Sequence, residues 1–210
     1  MIMDPGTQQQ GFSDKYMLSM TRKNILITGP PGCGKTTLVR DIAGRLEHFH
    51  PSGFYTAEIR VGGIRQGFEL TGFNGNKALL AHVDVKSQYR VGKYGVDIPV
   101  FEAFLENMSL PESLPGLFII DEIGKMECMS EKFRLMIMKI LASKIPCMAT
   151  IALKGDQFID GIKKRDDCML ISMMRENRHT LAKIIISRLD MIGKRADIAE
   201  KILVPVRNDS

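Results

Sequence analysis

A stretch of eight residues near the start of the chain constrains the fold more than any other feature. It matches the pattern G-x-x-x-x-G-K-S/T at every fixed position, and its residues are Gly29, Pro30, Pro31, Gly32, Cys33, Gly34, Lys35 and Thr36. Glycines at these spacings let the backbone curl, so that successive N–H groups point into one concavity that suits phosphate oxygens. Such a loop joins a buried strand to a helix, and the pattern therefore predicts both elements.

The residues on either side of this phosphate loop have the patterns of those two elements. Residues 24–28 form a short apolar run, which is typical of a parallel strand covered on both faces. A helix is predicted over 34–48, because Leu38, Ile42 and Leu46 recur at every fourth position and form one apolar stripe. This helix would add the positive end of its dipole to the loop.

The side chains of the loop indicate which ligand it binds. We expect Lys35 to reach the β- and γ-phosphates of a nucleotide and the Thr36 hydroxyl to ligate Mg²⁺. Thr37 would lie near the α-phosphate. The ligand predicted here is a nucleoside triphosphate with Mg²⁺ as cofactor.

A pair of carboxylates follows a second apolar run, residues 117–120. Asp121 is expected to hold Mg²⁺, through water, because a phosphate loop needs a carboxylate at the end of a neighbouring buried strand. Glu122 stands where a general base would deprotonate a water that attacks the γ-phosphorus. The pair favours hydrolysis over phosphoryl transfer to a second substrate.

Strands and helices alternate along the rest of the chain. Between them, residues 53–81 show a two-residue repeat with a Gly62-Gly63 turn, which predicts an antiparallel meander. A glycine-rich loop is expected over 90–95. Further helices are expected near 100–108, 130–143 and 180–191, and further strands over 147–153 and 169–173. The predicted fold is α/β, a mostly parallel sheet flanked by helices with the meander inserted.

Composition limits the partners and the compartment. A net charge of +5 and a pI of about 9.0 permit nucleic acid, but there is no Lys/Arg block, so nucleic acid is not favoured. No apolar run is long enough to cross a membrane. We expect a cytoplasmic monomer with a flexible leader at 1–21, one nucleotide-binding domain at 22–190 and a C-terminal tail at 191–210.

The chain resembles the small P-loop nucleoside-triphosphatases of thermophiles, a family that includes the human cancer-related nucleoside-triphosphatase. The resemblance covers about residues 24–189 and leaves both ends of the chain unmatched. It is carried by residues 27–37, 53–56, 81–84, 90–96, 119–127 and 176–178. It implies a RecA-like core and Mg²⁺-dependent hydrolysis of several nucleoside triphosphates to diphosphate and phosphate, with loose base selectivity.

Several cations are further candidates for the site, each with an ordinary structural alternative. Arg90 and Lys93 would place positive charge over the phosphates. The alternative is that the glycines around them indicate only a tight turn. Lys125 would stabilise the γ-phosphate, or it pairs with Glu127. Arg178 would lie beside the base or the phosphates, or it forms a surface ion pair.

Two other functions stay open beside hydrolysis. A nucleotide or polynucleotide kinase would use the same loop, but such enzymes usually carry an arginine-rich lid. The nearest cluster here, 163–165, is followed at once by Asp166 and Asp167. A nucleotide-switched RNA-binding protein is the third hypothesis, and the basic pI permits it.

Overall fold

A computed structural model describes residues 22–108 and 115–203, with side chains described as far as residue 194. Strands in these ranges form one nine-stranded sheet. The strands are β1 (Asn24–Thr28), β2 (Ser52–Val61), β3 (Ile64–Gly72), β4 (Lys77–His82), β5 (Arg90–Val91), β6 (Tyr94–Val96), β7 (Phe118–Ile123), β8 (Cys147–Ile151) and β9 (Cys168–Ser172). Their order across the sheet is β5-β6-β4-β3-β2-β7-β8-β1-β9.

Helices cover both faces of this sheet. They are α1 (Lys35–Arg45), α2 (Ile98–Glu106), α3 (Glu131–Ala142), α4 (Gln157–Lys163) and α5 (Arg178–Leu203). Helices α1 and α5 pack on one face, and α2, α3 and α4 pack on the other. Alternate residues of β1 therefore enter different cores, with Leu26 on one side and Ile25 and Ile27 on the other. This confirms the predicted α/β class.

Five strands make up the parallel half of the sheet, in the order β2, β7, β8, β1 and β9. Strands β7, β8, β1 and β9 end at the same edge, because parallel neighbours run in one direction. The phosphate loop leaves β1 at this edge, and the register pairs Ile27 of β1 with Thr150 of β8. The edge is where Thr150 and the carboxylates of β7 meet the loop.

The antiparallel half consists of β2 to β6, and β2 belongs to both halves. Gly62 and Gly63 both adopt positive φ in the β2–β3 turn, as the prediction of a hairpin at this pair requires. Strand β2 pairs with β7 only through Ser52 to Phe54, and then continues to Val61. The β2–β3 hairpin therefore projects past the edge at which the phosphate loop lies.

One glycine makes the junction of the two halves possible. Gly53 has φ of 133°, and a Cβ at this position would collide with the carbonyl oxygen of Ile119 on β7. Only a residue without a side chain lets β2 approach β7 this closely in this conformation. The pairing of the two strands depends on this glycine.

The structure corrects four sequence predictions. The loop expected over 90–95 is the β5–β6 hairpin, and helix α4 over Gln157–Lys163 was not predicted. Asp121 and Glu122 lie inside β7 rather than after it. Helix α5 runs to Leu203 instead of ending near residue 191, so the expected boundary between domain and tail falls within a helix.

The two ends of the chain are only partly described. The expected leader, residues 1–21, lies outside the described residues, as do residues 204–210 of the expected tail. Within the described residues, no helix combines the length and the apolar character needed to cross a membrane.

Candidate active site

The phosphate loop has the curled backbone that its glycines predict. Gly32 and Gly34 adopt φ of 74° and 99°, in the left-handed region that a residue with a Cβ rarely occupies. Gly29 is packed so closely on the end of β9 that a Cβ would collide with the carbonyl oxygen of Met173. The loop therefore needs its glycines for conformation at two positions and for space at a third.

Helix α1 begins directly after the loop without a side-chain cap. Its N-cap is Gly34, and its first turn contains no acidic residue. The N-termini of α2, α3 and α4 are capped by the side chains of Asp97, Ser130 and Asp156. The first N–H groups of α1 are thus left to bind something other than the protein's own side chain, and they favour an anion.

Lys35 bends back over the loop that precedes it. Its Nζ donates a hydrogen bond to the carbonyl oxygen of Gly29 at 3.1 Å. Burial raises the pKa values of Asp121 and Glu122, and the positive charge of Lys35 offsets part of both rises, which places it near both carboxylates. Lys35 therefore sits between the phosphate loop and the acidic pair.

Asp121 is a buried carboxylate, 2% exposed, with one oxygen bound and one open. The Thr150 hydroxyl donates to Oδ1 at 2.6 Å, whereas Oδ2 has no hydrogen-bond partner among the described residues. Burial raises the pKa of Asp121, and the hydroxyls of Thr150 and Thr36, a hydrogen bond from the backbone of Thr56 and the charge of Lys35 offset part of this rise. Oδ2 is thus a buried carboxylate oxygen without a hydrogen-bond partner, in a carboxyl group close to the Thr36 hydroxyl, and this arrangement fits a cation.

The available ligands indicate which cation would fit. No cluster of three or more His, Cys, Asp or Glu side chains able to hold a metal ion occurs in the part of the chain that the structure describes. A metal here would have one carboxylate and one hydroxyl from the protein, Asp121 and Thr36. Mg²⁺ is commonly held in this way, because it keeps several waters and takes further oxygens from substrate phosphates.

Glu122 is half-buried next to Asp121. Burial raises the pKa of its carboxyl, the charge of Asp121 raises it further, and Lys35 lowers it. A carboxylate with a raised pKa is a stronger base than one in water. The position and basicity of Glu122 suit the removal of a proton from water.

Sequence analysis missed Glu127 as a member of this site. It is 5% exposed, and burial together with the charge of Glu122 raises its pKa to about 8. Its apolar neighbours Met126, Cys128 and Met129 were the available signal, since they indicate a buried segment. We had weighed it only as an ion-pair partner of Lys125, and the structure shows no such pair.

Two guanidinium groups from the β9–α5 turn lie against the phosphate loop. Nη1 of Arg178 is 3.1 Å from the position that a Cβ on Gly34 would occupy. Arg175, which was not predicted, donates from Nη2 to the carbonyl oxygen of Gly32 at 3.4 Å. Asn177 fixes the turn, because its amide accepts from Met174 N and donates to Ser172 O.

Arg90 and Lys93 contact their own hairpin rather than the phosphate loop. Arg90 and Lys93 lie in the β5–β6 hairpin, where Arg90 binds the Lys93 carbonyl oxygen and the Lys93 ammonium lies over the Tyr94 ring. The edge strand β5 is five strand positions from β7, or roughly 24 Å along the sheet. Lys125 is exposed on the segment after β7.

Comparisons with known proteins give matches over most of the chain. A protein-family model described as NTPase matches residues 24–186. Nucleoside-triphosphatase THEP1 from Thermotoga sp. strain RQ2 is 41% identical over 166 residues, which is 79% of this chain and 94% of that protein. The human cancer-related nucleoside-triphosphatase is 34% identical over 185 residues, covering 79% of this chain and 95% of that protein.

Solved structures show the same fold. The crystal structure of THEP1 from the hyperthermophile Aquifex aeolicus superposes with a TM-score of 0.66 at 34% identity, covering 79% of this chain and 98% of that one. The solution structure of a human cancer-related nucleoside triphosphatase gives a TM-score of 0.65 at 31% identity, with 79% and 96% covered. The chain resembles these proteins over nearly their whole lengths.

Proposed function

Since this chain belongs to the NTPase family, whose model it matches over residues 24–186, we propose that it is an enzyme that hydrolyses nucleoside triphosphates to diphosphate and phosphate. The relatives it resembles are named nucleoside-triphosphatases. The observation that carries the proposal is the meeting of the phosphate loop with Asp121 and Glu122 at one edge of the sheet. A binding loop alone would serve many functions, whereas a basic carboxylate beside it favours attack by water.

Binding of the triphosphate is assigned to the loop and to the start of α1. The N–H groups of residues 32–37 would surround the phosphates, and Lys35 would move from the Gly29 carbonyl oxygen to the β- and γ-phosphates. Thr37 is exposed in the first turn of α1 and lies on the α-phosphate side. These groups recognise phosphate and not the base, which supports the proposal that several nucleotides are substrates.

Mg²⁺ is the proposed cofactor, held by the Thr36 hydroxyl and, through water, by Oδ2 of Asp121. When bound, it supplies positive charge that neutralises the phosphate oxygens. Thr150 keeps the Asp121 carboxylate in place by its hydrogen bond to Oδ1. The protein's contribution is therefore one fixed carboxylate with a free oxygen.

Glu122 is proposed as the general base, which orients a water and takes its proton as the water attacks the γ-phosphorus. Arg178 is proposed as the arginine that neutralises transition-state charge in cis, because its guanidinium already lies against Gly34. Arg90 and Lys93 would have to move from the far side of the sheet to act, so we do not assign them this role. Lys125 is kept as a proposed contact to the γ-phosphate.

Phosphate release from ATP, GTP, CTP and UTP tests this function, measured with Mg²⁺ and again after chelation. The first prediction is that Glu122→Gln lowers the rate about a hundredfold or more, since a positioned base contributes this much. Glu69→Gln is the matched control, because Glu69 is an exposed carboxylate paired with Lys77 in the antiparallel half. Chelation is expected to abolish release.

Each part of the proposal can be refuted by a different result. Tight nucleotide binding without phosphate release by the native protein would refute hydrolysis and direct attention to phosphate acceptors. Equal rates for native protein and Glu122→Gln would remove Glu122 as the base. Release from one nucleotide alone would refute the broad base specificity.

A further inference from the structure

A second buried carboxyl lies behind the proposed base. Glu127 follows β7 in a short helical turn, Glu127–Met129, and is almost fully buried. Its Oε2 lies 2.8 Å from the position that a Cβ on Gly124 would occupy, and Oε1 of Glu122 lies 3.4 Å from the same point. Gly124 therefore leaves space that the two carboxyl groups share, and a side chain at that position would separate them.

The surroundings of Glu127 contain acids and no paired cation. Within the described residues, no Lys, Arg or His forms an ion pair with it at 4.0 Å or less. Two backbone N–H groups, of Gly124 and of Glu127 itself, lower its pKa but do not offset its burial. The charged groups around it are Asp121 and Glu122 on β7, the exposed Lys125, and Arg134 on α3, whose guanidinium binds the Cys128 carbonyl oxygen and Asp156.

These surroundings would destabilise the folded protein if Glu127 were ionised, and a structural role alone does not explain them. A buried carboxylate without a cation is destabilising, and a like charge nearby adds to the cost. A buried carboxyl group in its neutral form avoids both costs and gains an O–H donor. The nearest acceptor that carries a charge is the carboxylate of Glu122.

We propose that Glu127 is a positioning residue for Glu122, donating a hydrogen bond from its neutral carboxyl group, directly or through one water, to the Glu122 carboxylate. The inference rests on the proposed function, in which Glu122 is the base. The hydrogen bond holds the Glu122 carboxylate in the orientation that aims it at the attacking water, since a carboxylate oxygen binds a donor strongly. Glu127 itself touches neither the attacking water nor the nucleotide.

The test compares Glu127→Ala with Glu127→Gln, because glutamine is neutral, has the same shape and still donates a hydrogen bond. As the second prediction, Glu127→Ala lowers kcat at pH 7 about tenfold with KM nearly unchanged, as expected when an orienting group is lost. Glu127→Gln recovers most of this loss. The native rate falls as pH rises through about 8, where Glu127 loses its proton, and Glu127→Gln removes this alkaline fall.

Two outcomes would overturn the proposal. If Glu127→Gln is as slow as Glu127→Ala, the site requires a charge or a proton acceptor at 127 rather than a neutral donor. If Glu127→Ala keeps both the native rate and the alkaline fall, Glu127 does not act through Glu122. In a Glu122→Gln background the Glu127 substitutions are expected to change the rate less than twofold, because the base they position is absent.

Thermal unfolding between pH 5 and 9 separates this inference from the proposed function. Glu127 has a folded-state pKa of about 8 against an ordinary value of 4.5, so the stability it contributes is complete below pH 4.5 and is lost as pH rises to 8. The native protein should lose stability over this interval relative to Glu127→Gln. If the protein releases no phosphate but loses stability relative to Glu127→Gln over this interval, the proposed hydrolysis is refuted. The neutral form of Glu127 is then still supported. Parallel unfolding curves would overturn the neutral form itself.

Discussion

The parallel and antiparallel halves of the sheet place their charges in opposite ways. In the antiparallel half, Glu58 pairs with Arg60 and Arg65, and Glu69 pairs with Lys77, all at partly exposed positions. In the parallel half, Asp121 and Glu127 are buried, and neither forms an ion pair within the described residues. The carboxylates that cost most to bury are those that the protein leaves unpaired.

This difference teaches where the site lies before any ligand is considered. An exposed ion pair contributes about 0–1 kcal/mol and has no need of a further partner. A buried carboxylate with an open oxygen, such as Asp121, is destabilising in the empty protein and gains stability when a cation binds. Unpaired buried carboxyl groups thus mark the half of the sheet to which we assign the ligand.

The third prediction has the largest expected effect. It compares the same substitution, lysine to alanine, at the phosphate loop and in the antiparallel half. Lys35→Ala should lower the rate of phosphate release by about a hundredfold or more, because it removes the donor that we assign to the β- and γ-phosphates. Lys93→Ala, in the β5–β6 hairpin, should change it less than about twofold. The measurement is kcat/KM for ATP. A comparable loss for Lys93 would show that the antiparallel half reaches the site and would break the comparison.

A smaller effect, the fourth prediction, concerns the support of Asp121. Thr150→Val removes the hydroxyl that donates to Oδ1, and we expect an approximately tenfold loss of apparent Mg²⁺ affinity. The pKa of Asp121 should rise further without this donor, so the acid limb of the activity profile moves to higher pH. Thr71→Val on β3 is the control. Unchanged Mg²⁺ dependence would mean that Thr150 does not position the carboxylate.

The smallest effect, the fifth prediction, tests the exposed pairs directly. Lys77→Ala breaks the pair with Glu69, whose atoms are 3.0 Å apart at the surface. The free energy of unfolding should fall by less than about 1 kcal/mol, with activity unchanged, since solvent screens this pair. Denaturant titration measures the change. A loss of several kcal/mol would show that the antiparallel half depends on its charges after all.

The sequence allowed most of the parallel half to be predicted, because its strands are continuous apolar runs beside a specific loop. The β5–β6 hairpin was missed, since strands of two and three residues are too short to show a period. Helix α5 was expected to end near residue 191, before Gly193, but a single glycine costs only about 1 kcal/mol and the residues after it are good helix formers. The helix-forming residues after Gly193 therefore outweighed the local signal for a helix end.

For the site, the loop and the acidic pair were found from their motifs, but their supporting residues were not. Thr150 contacts Asp121 between strands that are distant in the chain, and Glu127 is buried by tertiary packing. No spacing in the chain records either feature. Arg175 is close in the chain to Arg178, which was predicted. Its contact with Gly32 depends on the turn that Asn177 fixes, and the sequence does not show that turn. Prediction ended where tertiary packing decides which side chains meet.

The pairing of β2 with β7 has a consequence for solubility. Strand β7 carries Asp121, and β2 covers its outer side through Ser52 to Phe54 and through the Thr56 hydroxyl, which donates to the Asp121 carbonyl oxygen at 2.6 Å. If the antiparallel half were removed, β7 would become an edge strand with free N–H and C=O groups beside the most reactive carboxylates. Exposed apolar edges pair with other chains and aggregate. The antiparallel half therefore protects the strand that bears the site from self-association.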